Sequence, residues 1–409
     1  MQRILSTELA RHVGETVTVA GWVHRRRLLK SVAFLILRDA LGLAQVVTTP
    51  AELAKLSEES VVEITATVTA NAAAPMGVEL TSPRIWVLSE VLVPLPVELH
   101  RPALTATLPI QLDHAALTLR HPARSAALRI AAAATAGFRS ALGKRRFVEI
   151  HTPKIVASAT ESGANVFQLD YFGRPAYLAQ SPQFYKQLMV GVFERVYEVG
   201  PVFRAEPHDT ARHLAQYTSL DAELGFIDDH RDVMAVLTCV VAEMVEGTGV
   251  AVDVPAEIPA VHFSEALRIA GAPADEPDLA PAHERALGEW ARREHGSDFL
   301  YVTGYPMRKR PFYTHPQPSD PTWSNSFDLL LRGLEIVTGG QRLHRYEDYV
   351  AALAGDTEPY AGYLEGFRYG MPPHGGFAIG LERFVARLTG AANVREVTAF
   401  PRDLHRLIP

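Results

Sequence analysis

The amino-acid sequence predicts an α+β protein, in which a small N-terminal β-barrel precedes a larger domain with an antiparallel β-sheet flanked by helices. Two observations predict this class. Residues 1–97 contain about five short segments of alternating polarity, separated by turn residues. Beyond residue 121, strand-like and helix-like segments mix without a regular strand–helix–strand repeat, which favours an antiparallel arrangement.

The bulk composition is that of an ordinary globular protein. With 409 residues, 47% of them hydrophobic, the chain can bury a large core and predicts about two or three domains. A net charge of -6 argues against a nucleic-acid coat protein but leaves room for an RNA enzyme with a local basic surface. A single cysteine, no signal-peptide core and no long apolar run lead us to expect a cytoplasmic protein without a membrane span.

The N-terminal region reads as a barrel of the OB type. Five segments are predicted as strands: Val17 to Val23, Ala33 to Asp39, Ala44 to Val47, Val61 to Val68 and Ile85 to Leu88. A helical segment near Pro50 to Leu56 completes the pattern that favours the OB barrel. A generic small β-domain would show much the same pattern.

A proline-rich run, Val93 to Pro96, marks the end of this region. We therefore expect a barrel domain over residues 1–97, a hinge over 98–120 and a larger domain over 121–409. The larger domain begins with a long Ala-rich helix, predicted over Pro122 to Leu142.

The strongest local signal is the run Val202 to His213, which follows an apolar strand and precedes a second strand. Such a hairpin holds Arg204 and Glu206 at the mouth of its loop. The planar guanidinium of Arg204 matches phosphate oxygens, and Glu206 can accept a hydrogen bond from an amino group such as that of adenine. The alternative is a surface hairpin with solvated charges.

A second hairpin is predicted around a turn at Leu331 to Gly333. That turn would place Asp328 and Glu335 roughly opposite each other. Two facing carboxylates repel unless a cation bridges them, and oxygen ligands beside phosphates suit Mg²⁺. Two solvated carboxylates on an open sheet face are the alternative.

The run Thr338 to Arg342 follows directly and contains two adjacent glycines. We predict that these glycines let a substrate approach the backbone, with Arg342 beside the gap as a two-point clamp for a carboxylate. The alternative is a β-bulge with an exposed arginine.

A glycine-rich segment, Tyr369 to Val385, lies near the end of the sequence. It predicts a strand and then a helix beginning near Leu381, with Arg383 in the first turn of that helix. Because a cation there opposes the helix dipole, an anionic ligand would offset the conflict. His374 in this segment is by itself more typical of a structural residue, and a simple capping region is the alternative for the whole segment.

A helix is predicted to open at Pro182. Gln183 and Lys186 are three residues apart and share one face of this helix. An amide and an ammonium together suit an amino acid that carries a second carboxylate. A solvated helix face is the alternative.

The predicted barrel carries a basic run from His24 to Arg27, followed by Lys30 and the aromatic Phe34. Basic residues interleaved with an aromatic suit single-stranded RNA, through phosphate contacts and base stacking. Alternatively, Phe34 belongs to the core and the arginines keep the surface soluble.

Three of these segments, in this order, resemble the signature motifs of the class II aminoacyl-tRNA synthetases in their aspartyl, asparaginyl and lysyl subgroup. Phe147 to Pro153 resembles motif 1, Phe203 to Glu206 motif 2, and Gly380 to Arg383 motif 3. Within the subgroup, Thr338 to Arg345 and Phe400 to Asp403 are most similar to the archaeal-type aspartyl branch.

The resemblance implies a role for each candidate residue. The implied catalytic residues are Arg204, Glu206 and Arg383. The implied ATP contacts are Arg204, Glu206, His213, Leu214, Tyr217, Glu335, Gly380 and Arg383. The implied aspartate contacts are Glu161, Gln183, Lys186, Thr338, Arg342 and His374, with Glu161 and His374 in loops that close over the amino acid. Asp328 and Glu335 would bind Mg²⁺, and the implied anticodon contacts are His24, Arg27, Phe34, Gln45 and Pro75.

The resemblance also implies partners and a reaction. ATP and Mg²⁺ would activate aspartate, which is then loaded onto the aspartate tRNA by a homodimeric enzyme. In the archaeal-type branch, enzymes restricted to that tRNA tend to carry Trp and Lys where this chain has His24 and Pro75. The chain is thus similar to the non-discriminating form, which also charges the asparagine tRNA and depends on a tRNA-dependent amidotransferase.

Other activities remain compatible with the same catalytic domain. One is an asparaginyl-tRNA synthetase. Another is an ATP-dependent ammonia ligase that makes free asparagine, although such a ligase has no need of a basic barrel. A third is a catalytically inactive RNA-binding or regulatory relative. The joint presence of six candidate residues disfavours it: Arg204, Glu206, Asp328, Glu335, Arg342 and Arg383.

Overall fold

The computed structural model describes residues 2–157, 165–207 and 209–408. The chain divides into two compact units, Met1–His121 and Pro122–Pro409.

The first unit is a closed five-stranded barrel with the strand order β1-β2-β3-β5-β4. Its elements are β1 (Thr16–Leu28), β2 (Ala33–Arg38), β3 (Leu43–Thr48), α1 (Pro50–Leu53), β4 (Val61–Ala70), β5 (Val78–Ser89), α2 (Leu108–Asp113) and α3 (Ala115–Thr118), with 3-10 turns at Ser6–His12 and Pro75–Gly77. The predicted OB barrel is thereby confirmed. Two strands are longer than predicted, because β1 must pair with both β2 and β4, and β5 follows β4 from end to end.

The barrel interior follows the two-residue period of a strand. In β4, Val62, Ile64, Ala66 and Val68 are buried while the residues between them are partly exposed. The same alternation that predicted strands from the sequence therefore builds the barrel core.

The second unit contains helices and two sheets. Its elements are α4 (Pro122–Lys144), β6 (Val148–Glu149), β7 (Ile155–Val156), β8 (Gln168–Tyr171), β9 (Arg174–Leu178), α5 (Gln183–Phe193), β10 (Arg195–Phe203), β11 (Gln216–Gly225), α6 (His230–Thr248), β12 (Ala260–His262), α7 (Phe263–Ala270), α8 (Pro281–His295), β13 (Phe299–Thr303), β14 (Ser326–Leu331), β15 (Glu335–Gln341), α9 (Tyr346–Ala352), α10 (Ala361–Arg368), β16 (His374–Gly380) and α11 (Leu381–Thr389). Short 3-10 turns lie at Met307–Lys309, Glu358–Tyr360 and Val394–Glu396.

Within the described residues, the main sheet has eight strands in the order β12-β13-β14-β15-β16-β11-β10-β6. The six inner strands are antiparallel, as the sequence predicts. The two edge pairings, β12 with β13 and β6 with β10, are parallel. A separate small sheet has the order β7-β9-β8.

Helices α4 and α6 cover one face of the main sheet. Phe138 of α4 and Val241 of α6 share a core with Leu220 of β11 and Phe377 of β16. Gly137 lets the two helices approach closely, because a Cβ there would collide with the backbone of Glu243 and Met244. Since side chains alternate along a strand, the residues between these core positions point to the opposite face, where the cavity described below lies.

The hairpin of β14 and β15 turns where predicted, through Arg332 (φ 48°) and Gly333 (φ 72°). Two consecutive residues with positive φ form a type I′ turn, which suits the twist of a two-residue hairpin. However, a β-bulge after Glu335 shifts the register, so that Asp328 faces Thr338. Glu335 pairs with Leu330, so the two carboxylates, which the sequence predicts roughly opposite each other, belong to cross-strand pairs two positions apart and do not face each other directly.

Replacing Gly333 with alanine tests how this turn meets α8. A Cβ at Gly333 would lie 2.8 Å from Cα of Arg285, whereas Gly355 has a similar positive φ and open space around it. We expect Gly355→Ala to lower the free energy of unfolding by about 1–2 kcal/mol, and Gly333→Ala by about 2–5 kcal/mol. Urea unfolding of both variants measures the difference; equal losses would contradict the close contact.

Candidate active site

A cavity of about 320 Å³ opens on the face of the main sheet that the α4–α6 layer leaves free. Twelve predicted site residues line it: Gln183, Lys186, Arg204, Glu206, His213, Leu214, Tyr217, Glu335, Thr338, Arg342, Gly380 and Arg383. These residues span about 200 positions of sequence, so the fold gathers distant segments around one space.

One end of the cavity is built from buried charges. Lys186 Nζ lies 3.0 Å from Asp221 Oδ1 and 3.3 Å from Glu223 Oε2. Arg342 Nε donates to Glu223 Oε1 at 3.0 Å, and its Nη2 donates to the Gly376 carbonyl at 3.1 Å. Glu223 thus lies between two cations. Burial alone would raise its pKa, but Arg342 and Lys186 outweigh burial and hold the pKa below its ordinary value.

Helix α5 presents Gln183 and Lys186 to the cavity from successive turns. Pro182 occupies the N-cap position, so the helix begins where predicted. Gln183 is 4% exposed and Lys186 is 1% exposed, which rules out a solvated helix face. Gln183 Nε2 donates to Gln187 Oε1 at 2.9 Å, and this bond fixes the orientation of the amide.

Arg342 is buried, not exposed, and the adjacent glycines allow close packing around it. A Cβ at Gly339 would strike the ring of Phe327, and one at Gly340 would lie 2.7 Å from the Asn325 carbonyl. A Cβ at Gly376 would collide with the Glu223 carboxylate. These glycines therefore make room for neighbouring strands and for Glu223. Gly339 also lines the cavity, and the approach of a substrate to its backbone stays a prediction.

The other end of the cavity is formed by the loop between β10 and β11. Arg204 N donates to the Ala215 carbonyl at 2.9 Å, which closes the base of the loop. Arg204 Nη1 lies 3.6 Å from Glu206 Oε1, and His213 Nε2 lies 3.8 Å from Glu206 Oε2. The guanidinium of Arg204 lies 5.9 Å from the ring centroid of Tyr217. A cation, an acceptor and an aromatic face therefore converge at this end.

Arg383 lies in the first turn of α11, as predicted. Its Nη1 is 3.9 Å from Glu335 Oε1, and its Nε donates to the Arg212 carbonyl at 3.2 Å. The partial charge of Glu335 offsets the unfavourable position of Arg383 at a helix N-terminus. Gly380 leaves a space there, since a Cβ would lie 4.0 Å from both the Tyr217 ring and the Arg383 side chain.

The two predicted metal-binding carboxylates, Asp328 and Glu335, differ in their access to the cavity. Glu335 lines the cavity, and enclosure together with the charge of Asp328 raises the pKa of Glu335 to about 7. Asp328 is not among the lining residues and is already engaged by Arg310 at 3.1 Å and by the Thr338 hydroxyl. The structure therefore leaves Glu335 as the carboxylate that fits Mg²⁺, which typically takes one or two carboxylates plus phosphates. Asp328 lies behind it as support.

His374 does not lie in a loop over the cavity, which corrects that expectation. It begins β16, is fully buried and is absent from the cavity lining. Gln187 Nε2 lies 2.9 Å from His374 Nε2, and His374 Nδ1 lies 2.9 Å from the Pro372 carbonyl. The histidine thus donates through Nδ1 and accepts through Nε2. Its carbonyl accepts from Arg342 N at 2.9 Å, so it supports the clamp from behind.

Asp221, Glu223 and Arg310 were not predicted as site residues. For the two acids a signal exists, because they alternate with Leu220, Ala222 and Leu224 in β11, and charge at every second position of an apolar strand marks a polar face. For Arg310 no such signal is present. It reaches Asp328 from a segment without regular structure, and only the tertiary fold brings the two together.

The barrel places its predicted residues in different environments. Arg27 is exposed, and its guanidinium lies 5.7 Å from the ring of the partly exposed Phe34. Phe34 is not part of the barrel core. Gln45 is buried and donates to Glu79 at 2.9 Å.

His24 is also buried and lies beside the bidentate pair of Arg38 and Glu59. Its side chain therefore belongs to the interior and not to the surface that the prediction assigned it. Pro75 begins the 3-10 turn Pro75–Gly77. Glu161, predicted to contact aspartate, lies outside the described residues.

Comparison with known families agrees with this geometry. The family described as tRNA synthetases class II (D, K and N) matches residues 107–404. The family described as OB-fold nucleic acid binding domain matches residues 17–88.

The chain belongs to the class II tRNA synthetases.

Individual relatives of this class II tRNA synthetase cover its whole length. It is 47% identical to the aspartate–tRNA(Asp/Asn) ligase of Thermus thermophilus, over 100% of both chains. It is 45% identical to the enzyme of the same name from Deinococcus radiodurans, over 100% of this chain and 99% of that one. Among solved structures, asparaginyl-tRNA synthetase from Pyrococcus horikoshii complexed with asparaginyl-adenylate matches with a TM-score of 0.92 and 30% identity, over 100% of both chains.

Among the described residues, no helix is long and apolar enough to cross a membrane. In the same part of the chain, no group of three or more His, Cys, Asp or Glu side chains is arranged to hold a metal ion.

The burial of His374 predicts a pH dependence of stability. Burial lowers the pKa of His374 from 6.5 to about 4. Because the folded pKa is the lower one, the neutral ring stabilises the fold above pH 6.5, and this stabilisation of about 3 kcal/mol is lost as the pH falls towards 4.

The variant His374→Gln, which does not titrate, should therefore show a flatter decline of the unfolding free energy between those pH values. Urea titrations at several pH values measure it, with the exposed His295→Gln as control. A decline as steep as in the parent protein would contradict the buried neutral ring.

Proposed function

We propose that this synthetase forms aspartyl-adenylate from aspartate and ATP and then transfers aspartate to the 3′ end of tRNA. The observation that carries the proposal is the pair of buried cations, Lys186 and Arg342, held at one end of the cavity by Asp221 and Glu223. Both cations line the cavity, so the second carboxylate of an acidic amino acid can accept charged hydrogen bonds from them. The names of the two most similar curated relatives support the same substrate.

Each charge at this end has a partner on aspartate. Lys186 and Arg342 bind the side-chain carboxylate, Arg342 through a two-point contact. Asp221, which lines the cavity, accepts hydrogen bonds from the α-ammonium group. Gln183 and Thr338 add hydrogen bonds, and the resemblance to the family implies a further contact from Glu161. His374 acts indirectly, by supporting Arg342.

ATP occupies the opposite end of the cavity. Glu206 accepts from the adenine amino group, and the ring of Tyr217 stacks on the base. Arg204 holds the α-phosphate and Arg383 the γ-phosphate, since both guanidinium groups can grip phosphate oxygens. His213, Leu214 and Gly380 complete the walls around the nucleotide.

Glu335 is the residue of this chain that would hold Mg²⁺, together with the phosphates of ATP. When bound, the ion supplies positive charge that stabilises the phosphates during attack and departure. Asp328 is held by Arg310 and Thr338, and its negative charge lies close enough to raise the pKa of Glu335. The repulsion between the two carboxylates would be relieved by a bound cation.

The residues act mainly by positioning. The α-carboxylate of aspartate attacks the α-phosphorus in line, and pyrophosphate leaves from the opposite side. Arg204 stabilises the charge that develops on the α-phosphate oxygens, without a covalent intermediate on the protein. The terminal ribose hydroxyl of tRNA then attacks the adenylate carbonyl and releases AMP.

We further propose that both the aspartate and the asparagine tRNA are substrates. Position 24, where enzymes restricted to the aspartate tRNA tend to carry Trp, holds a histidine in this chain. Because the His24 side chain is buried, it offers no bulky group at the surface that could reject one anticodon base. Arg27, Phe34 and Gln45 form the basic and aromatic face that reads the anticodon. A tRNA-dependent amidotransferase would then convert the aspartate on the asparagine tRNA. We also propose that the enzyme acts as a homodimer in the cytoplasm.

Two other substrates fit less well. Asparagine carries a neutral amide instead of the second carboxylate, so its hydrogen bonds with Lys186 and Arg342 would be weaker than those of a carboxylate. An ammonia ligase that makes free asparagine has no use for the nucleic-acid binding barrel, which matches over residues 17–88.

Substitutions at the two ends of the cavity should separate aspartate from ATP recognition. We expect Arg342→Ala to raise the KM for aspartate at least about 100-fold, because the variant also leaves Glu223 buried with only one cation. The KM for ATP should change less than about tenfold.

Arg204→Ala should lower the kcat of ATP–pyrophosphate exchange about 100-fold or more. The exposed Arg368→Ala is the control. Near-normal exchange by Arg204→Ala would remove this residue from the mechanism.

Charging of two transcripts tests the tRNA proposal. We expect aspartate and asparagine tRNA transcripts to be charged with kcat/KM values within about tenfold of each other, and a transcript with an unrelated anticodon to be charged far more slowly. A preference beyond about 100-fold, or about 2.7 kcal/mol, for the aspartate tRNA would contradict it.

A further inference from the structure

The loop between β10 and β11, residues 204–215, is held from outside the cavity by a distant part of the chain. Val394 N donates to the Ala211 carbonyl at 2.8 Å, and Ala215 N donates to the Arg402 carbonyl at 2.8 Å. A bridge between Gln216 and Arg402 extends this contact. Segment 393–406 thus runs along the loop that carries Arg204 and Glu206.

Arg395 is the centre of this contact. Its Nη2 lies 2.7 Å from Asp209 Oδ1, and its Nε lies 2.6 Å from Asp403 Oδ2. Its Nη1 donates to the Thr210 carbonyl at 2.9 Å. The side chain of Arg395 is only 7% exposed, so a single buried guanidinium joins the loop to segment 393–406.

Asp403 is itself fixed in place. Its side chain is 9% exposed and accepts from the backbone N–H groups of His405 and Arg406, at 2.9 and 2.8 Å. Burial alone would raise its pKa, but Arg395 and these N–H groups hold it below its ordinary value. Asp403 is therefore a charged, immobile anchor at neutral pH.

Asp209 is the partner of Arg395 on the loop, and it is more exposed than Asp403. Its side chain is 48% exposed, and its charge is paired with Arg395 across a short distance. Without that pair, the loop keeps its base and the bonds at the Thr210 and Ala211 carbonyls, but it loses its side-chain ion pair with segment 393–406. Because ordering such a loop costs conformational entropy, an unanchored loop would bind ATP more weakly.

We propose that Arg395 is a positioning residue for ATP, which links Asp209 to Asp403 and so holds loop 204–215 with Arg204 and Glu206 directed into the cavity. The inference rests on the proposed function, in which this loop binds the nucleotide. It concerns residues that do not line the cavity themselves.

A purely structural role for Arg395 makes a different prediction. In that case its loss lowers the melting temperature but leaves the kinetic constants of the folded molecules unchanged. If Arg395 positions the loop, its substitution raises the KM for ATP and leaves the KM for aspartate nearly unchanged. Substitution of the exposed Asp209 should then have the same effect as substitution of the buried Arg395.

The kinetic test uses ATP–pyrophosphate exchange by the full chain. We expect Asp209→Asn and Asp403→Asn to raise the KM for ATP by about 10- to 100-fold, with the KM for aspartate within about twofold of the parent value. Arg395→Met should also raise the KM for ATP, and Arg395→Lys should raise it less, because lysine keeps a charged donor. Glu265→Gln, which removes an exposed ion pair with Arg268 on α7, is the matched control.

Hydrogen exchange gives a second readout that needs no catalysis. We expect the amide groups of 204–216 to exchange at least about tenfold faster in Asp209→Asn, while those of β11 beyond Gln216 stay protected. Asp209 is exposed enough for this variant to fold even if Asp403→Asn does not.

Unchanged KM for ATP together with unchanged exchange in Asp209→Asn would overturn the inference. A parent protein that shows no aspartate-dependent exchange of pyrophosphate would instead refute the proposed function, and the hydrogen-exchange result would still decide the role of Arg395 in ordering the loop.

Discussion

Glu223 is the residue on which the candidate site depends most. It is a fully buried carboxylate between Lys186 and Arg342, and it holds both cations at the end of the cavity. Burying three charges costs solvation energy, and such a group stabilises a fold only when its hydrogen bonds and charges are satisfied. Together with Asp221, which lies 3.0 Å from Lys186, the group contains two cations and two carboxylates, and both cations line the cavity. The arrangement therefore holds the hydrogen-bond donors of Lys186 and Arg342 where a carboxylate in the cavity could accept from them.

The surrounding fold is shaped to accommodate this group. Gly376 removes the Cβ that would displace the Glu223 carboxylate, and α5 brings Lys186 beneath it. His374 and Gln187 pack behind Arg342 and join it to a buried network with Tyr349 and Tyr363. The aromatic and amide groups of that network have fixed partners, so the clamp is preorganised before substrate arrives.

At the nucleotide end, the constraints come from outside the cavity. Arg204 and Glu206 lie on a loop whose base is fixed by the β10–β11 ladder and whose outer half meets Arg395. Glu335 is fixed by a hairpin whose bulge sets its register against Asp328. The two ends thus differ in kind: the amino-acid end is rigid and buried, while the nucleotide end depends on anchored loops.

The sequence by itself determined the barrel, the inner antiparallel strands and the helix openings near Pro182 and Leu381, and it pointed to twelve of the residues that line the cavity. These features follow from local periodicity and from motifs of fixed spacing. It could not determine the bulge that moves Asp328 opposite Thr338, or the burial of His24 and His374. It also did not place Arg310 beside Asp328 or Arg395 between Asp209 and Asp403. Those arrangements join residues far apart in the chain, and only the packed sheet and loops set the distances between their charges.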